Sequence, residues 1–200
     1  MRYPALVCIC LAGTASTGFA QQFSLTLVPG SITIDTFGGG GSFTAAVYGD
    51  ADVGTHLLGG ALAIESNSDL VTDITWTPAS WSAFNTDGGY AGNGNYNQVI
   101  FGQLVIPGVP PFDVPAPGSE LGGLIGVFTI QTVQFCGVLE FNPVAGSPFA
   151  LEVIDAITGE TWRSGTDNLA LNGFQVNVVP APASTVLLSG AGLLFARRRR

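Results

Sequence analysis

The chain is 200 residues long, with 46% apolar residues, only 10% charged ones and a formal net charge of −8. It contains no lysine, and its scarcity of Glu and Arg excludes long solvated helices, which carry such residues on their outer face. All fourteen acids but only one cation, Arg163, fall within residues 21–179, so that stretch carries −13 and repels nucleic acid, which is held through Lys and Arg on phosphates. This charge serves solubility first, and also suits salty surroundings or contact with divalent cations.

The N-terminus, MRYPALVCICLAGTASTGFA, has one cation (Arg2) before an apolar stretch from Ala5 to Ala12. Gly18 and Ala20 then stand at −3 and −1 of a cut between Ala20 and Gln21, as signal peptidase requires. The run is too short for a hydrocarbon core of roughly 30 Å. Cys8 follows Val7 and Cys10 follows Ile9, without the small residue that a lipobox places there, so cleavage is favoured over lipidation. Residues 1–20 are thus expected to be a signal peptide, residues 21–178 a folded ectodomain and residues 179–200 a tail. After cleavage Cys136 is the sole cysteine and forms no internal disulfide; in QFCGVLEF it reads as a small buried residue.

The ectodomain keeps a strand rhythm. Segments 23–28, 31–37, 42–48, 57–66, 70–76, 97–106, 124–133, 136–141, 149–157 and 169–179 are rich in Val, Ile, Leu, Phe and Thr. Turn residues separate them, among them Pro29-Gly30 and the run Gly38 to Gly41. The pattern predicts an all-β, antiparallel β-sandwich, with one brief helix allowed at 79–84. GGGG is no phosphate loop, because it lacks the lysine and the following helix.

Chemistry is sparse. His56 is the only histidine and no G-x-S-x-G elbow accompanies it, so it reads as structural or exposed rather than catalytic. One His and one mature Cys do not make a zinc site. Asp50 and Asp52 in GDADVG, and Asp87 with Asn85, Asn93 and Asn95, offer oxygen ligands for calcium. They lack EF-hand spacing, and Asx and Gly also build ordinary turns. Glu65, Glu140 and Glu152 read as outward-facing strand acids rather than a hydrolytic pair. Tyr90 and Tyr96 flank a Gly- and Asn-rich loop, where aromatic rings can stack on sugars; Trp76 and Trp81 fit that role or core packing. No enzyme and no resident cofactor are expected. The proline-rich loop at 109–120 contains Val114-Pro115-Ala116-Pro117, the same tetrapeptide as Val179 to Pro182.

The chain ends VPAPASTVLLSGAGLLFARRRR. Val186 to Ala196 would span about 17 Å as a helix, and about 27 Å when counted from Ala183 into the arginines. Arg197, Arg198, Arg199 and Arg200 would stay cytoplasmic, leaving the domain outside. Pro180 and Pro182 hold the preceding segment extended. The internal VPAP is followed by neither an apolar run nor a basic cluster, so the tetrapeptide alone is no signal.

On these residues the tail resembles the PEP-CTERM sorting signal of Gram-negative bacteria that make exopolysaccharide. Val179-Pro180-Ala181-Pro182 matches the Pro-Glu-Pro motif with Ala181 in place of Glu. Residues 184–196 match the short transmembrane helix, and Arg197 to Arg200 the basic end. The resemblance covers about 22 residues. It implies recognition by an exosortase-like membrane enzyme, an inner-membrane intermediate held by the C-terminal helix, and final residence at the cell surface or in an extracellular, biofilm-type matrix. The order of ectodomain elements, with GVFTIQT late in the chain, is similar to that of cohesins and carbohydrate-binding sandwiches. The expected role is structural or adhesive among extracellular polysaccharide; a carbohydrate-binding module is the alternative, and an unrecognised hydrolase a third.

Overall fold

The structure is a computed structural model that describes residues 21–36 and 39–179. Fourteen strands follow in order: β1 (Phe23–Pro29), β2 (Thr33–Asp35), β3 (Gly41–Ala51), β4 (His56–Glu65), β5 (Val71–Pro78), β6 (Thr86–Asp87), β7 (Tyr90–Gly92), β8 (Asn95–Gly102), β9 (Leu124–Thr132), β10 (Gly137–Ala145), β11 (Leu151–Ile154), β12 (Thr161–Arg163), β13 (Leu169–Asn172) and β14 (Phe174–Val179). One sheet runs β13-β1-β3-β9-β5; the other runs β12-β11-β4-β10-β14-β2, with β8 on β4 and with β6 and β7 on β8.

Each inner face is built from alternate residues, since successive strand side chains point to opposite faces. Phe23, Leu25 and Leu27 of β1 are buried, as are Leu139 and Phe141 of β10 and Val176 and Val178 of β14. Aromatic contacts fasten the sheets together. Phe43 of β3 meets Phe141 edge-on at 5.8 Å, and Tyr96 of β8 meets Phe128 of β9 at 5.2 Å. Burying such a side chain contributes about 1.5–3 kcal/mol each. The result is the expected all-β sandwich.

Four expectations are corrected. The sheets are mixed rather than purely antiparallel: β1 runs parallel to β13, and β14 parallel to β2. Both ends of the domain change sheet together. The first crosses at Pro29-Gly30, and the last crosses at Gly173, where an added Cβ would lie 2.4 Å from the Phe141 carbonyl oxygen. The predicted single strand 169–179 is therefore two strands in two sheets, a corner device of sandwiches. Residues 79–84 form a turn rather than a helix, pinned by Trp81 Nε1, which donates to the Leu124 carbonyl at 2.7 Å. Cys136 is exposed, because β10 begins only at Gly137.

Candidate functional site

The central strand of the second sheet is β4. It pairs with β8 along one edge, and with β11 and then β10 along the other. Leu58 has no partner on β11, because Glu152 pairs with Gly59 and Val153 with Leu57. This β-bulge shifts the alternation, so buried Leu57 lies before it and buried Leu62 and Ile64 after it. The outward positions are then Gly59 and Ala61 on β4, facing Gly102 and Ile100 on β8. Two paired glycines at the centre of a sheet leave bare backbone on the outer face, a place for close approach.

That bare backbone is the floor of a trough of about 260 Å³. Phe84, Ile100, Pro148, Phe149 and Glu152 also line it. Phe84 is 57% exposed and Ile100 43%. Phe84 and Gln103 also line a second groove, against Leu104, Phe112 and Val114 of the proline-rich segment, so the apolar surface continues across Phe84. Gln103 holds that segment in place: its side-chain amide donates to the Leu57 carbonyl and accepts from the Ala116 N–H.

Glu152 is the trough's one charged group, and it is buried rather than an exposed strand acid, at 8% exposure. Arg163, the only cation among the described residues, donates from Nε to Glu152 Oε1 at 2.7 Å. The Arg163 guanidinium also lies 5.0 Å from the Phe149 ring centroid. A buried carboxylate costs several kcal/mol unless it is paired, and this pairing offsets that cost. The other oxygen, Oε2, has no hydrogen bond among the described residues.

The other sequence-predicted residues lie elsewhere. Tyr96 is 3% exposed and packs on Phe128, so its ring has no face for a sugar; this corrects the stacking role expected of it. Its hydroxyl donates to Asp87 Oδ1. The Tyr90 hydroxyl donates to the Val71 carbonyl and accepts from the Gly94 N–H, which ties the Gly- and Asn-rich loop to β5. Trp76 and Trp81 are both core residues.

Burial, and then the Asp87 hydrogen bond, hold the Tyr96 hydroxyl well above the ordinary tyrosine range. A proton held more tightly in the folded state contributes stability that is complete below the unfolded pKa of about 10 and is lost as pH rises above it. Urea midpoints should therefore fall above pH 10, and Tyr96→Phe should flatten that fall. An equally steep fall in the variant would refute the assignment.

Asp50 accepts from the Ala51 N–H, Asp52 from the Gln22 N–H, and Asp87 from the Gly89 N–H as well as from Tyr96. Each carboxylate thus already accepts a backbone N–H, and no group of three His, Cys, Asp or Glu gathers among the described residues. His56 contacts the Thr55 hydroxyl at 2.9 Å at the start of β4. Glu140 accepts from Asn142 and is exposed, as is Glu65. Ala20 and residues 180–200 lie outside the described residues, as does the expected C-terminal helix; among the described residues no helix is long and apolar enough to cross a membrane. The trough was missed in the sequence, although glycines inside the strand segments LLGGALAIES and NQVIFGQLVI are its signature.

No family model and no curated protein matches the chain. Among solved structures it is similar to a chain of a type I cohesin–dockerin complex from Clostridium thermocellum, at 10% identity and a TM-score of 0.50, covering 78% of this chain and 99% of that one. It is also similar to a cohesin module of a family 33 glycoside hydrolase from Clostridium perfringens, at 12% identity and a TM-score of 0.49, covering 80% and 99%. A type I cohesin from Pseudobacteroides cellulosolvens stands at 11% identity and 0.49, covering 80% and 94%. At such identity the first of these likenesses speaks for the fold alone, and it agrees with the strand pairing: the chain is a β-sandwich of cohesin-like architecture.

Proposed function

We propose that the chain is a non-enzymatic, adhesive module of the cell surface or extracellular matrix, which uses the outer-face trough as its contact. The observation that carries this reading is the exposed, aromatic-edged trough over a glycine floor, in a sheet whose other glutamates are exposed and solvated. Concave, mostly apolar surfaces with few polar groups are where ligands bind.

Delivery follows from the two ends. Signal peptidase cuts after Ala20, and an exosortase-like enzyme acts near Pro180 to Pro182. Arg197 to Arg200 hold the orientation until then. The end of β14 at Val179 supports this arrangement, because its carbonyl still accepts from the Thr36 N–H at 3.3 Å. A cut beyond it leaves the parallel pairing with β2 whole.

Mass spectrometry of the mature protein should find Gln21 at the N-terminus and a C-terminus near residues 180–182. Deleting Arg197 to Arg200 should leave the protein missorted. An intact tail on correctly located protein would overturn the processing claim.

A further inference from the structure

We infer that the trough binds an uncharged polysaccharide, with Phe84 and Ile100 against sugar-ring faces, Gly59 and Gly102 as the floor, and Glu152 Oε2 accepting a sugar hydroxyl. This rests on the trough being the adhesive contact. Three observations select the ligand class. First, Glu152 lines the trough with a side chain only 11% exposed, and Arg163 occupies its Oε1, which leaves Oε2 as an acceptor for a donor from the ligand. Hydrogen bonds to a charged acceptor are the stronger kind. Second, Arg163 already pairs with that carboxylate, so the contact needs no positive charge from the ligand. An acidic polymer would meet the −13 of residues 21–179, with the single cation already engaged. A neutral hydroxyl is what remains.

Third, the walls are apolar while the floor is bare backbone. A sugar ring has an apolar C–H face and a hydroxyl rim, and so suits an aromatic edge beside a buried acceptor. The second groove continues past Phe84 and would let a chain, rather than a single sugar, lie along the surface.

The test is affinity electrophoresis of the purified full-length protein in gels of neutral laminarin, galactomannan and xyloglucan and of acidic alginate and polygalacturonate. Retardation is expected in at least one neutral gel and in neither acidic one. Phe84→Ala and Ile100→Thr alter exposed side chains, keep the fold and should each weaken binding about tenfold. Retardation in no neutral gel, equal retardation in the acidic gels, or unchanged binding by both variants would overturn the inference. Adhesion to matrix from the producing cells, before and after periodate oxidation, separates the two readings. If Phe84→Ala abolishes adhesion but periodate does not, the trough is adhesive and its ligand is not a glycan. If Phe84→Ala adheres like the parent, the adhesive role of the trough itself falls.

Discussion

Replacing Phe128 by alanine should cost about 3–5 kcal/mol, the range for deleting a large aromatic side chain from a packed core. Phe128 is completely buried on β9, 4.4 Å from the Trp76 ring centroid on one side and 5.2 Å from Tyr96 on the other. Trp76 belongs to its own sheet and Tyr96 to the opposite one, so the ring is a wedge between the layers. The neighbours cannot collapse freely into the space. An added Cβ at Gly126 would stand 2.3 Å from the Trp76 ring, so that ring already presses on the backbone of β9. A urea titration with an unchanged slope should show the loss as a lower midpoint. A shift worth less than about 1 kcal/mol would mean that the sheets are not joined through this ring.

Gly60→Ala should cost about 3 kcal/mol, the top of the usual range for overpacking. The added methyl would lie 2.1 Å from the Ala150 carbonyl oxygen and 3.0 Å from the Phe101 ring. That carbonyl accepts the Ala61 N–H at 3.1 Å, so moving it breaks a bond that joins the segment before β11 to the central strand. A backbone group cannot swing aside as a side-chain tip can. The gain from replacing a strand glycine by alanine, about 0.5–1 kcal/mol, is too small to compensate. Gly89→Ala is the control: nothing lies within 4 Å of its added methyl, and only its φ of +75° opposes the change. Equal melting temperatures for the two variants would refute the packing argument.

The strands with a buried stripe were legible because alternation is local. Phe23, Leu25 and Leu27 announce β1, and Phe43, Ala45 and Val47 announce β3. Strands β6, β7 and β12 are two or three residues long and too short for any period to show. Cys136 was misread for a related reason: strand alternation does not extend past the turn before Gly137. Tyr96 was placed near the right loop, but alternation does not say which of two aromatic neighbours turns inward.

By itself the sequence determined the all-β character, the acidic and lysine-free composition, and the order of the strands along the chain. These are matters of composition and short-range period. Tertiary structure alone decided that residues 23–26 lie parallel to 169–172, and that Gly59, Gly102 and Glu152 meet on one face. Pairing between strands far apart in sequence is set by which surfaces bury together, and a β-bulge at Leu58 reassigns every later face of β4. The trough is a product of that one extra residue and of two glycines brought side by side by the sheet.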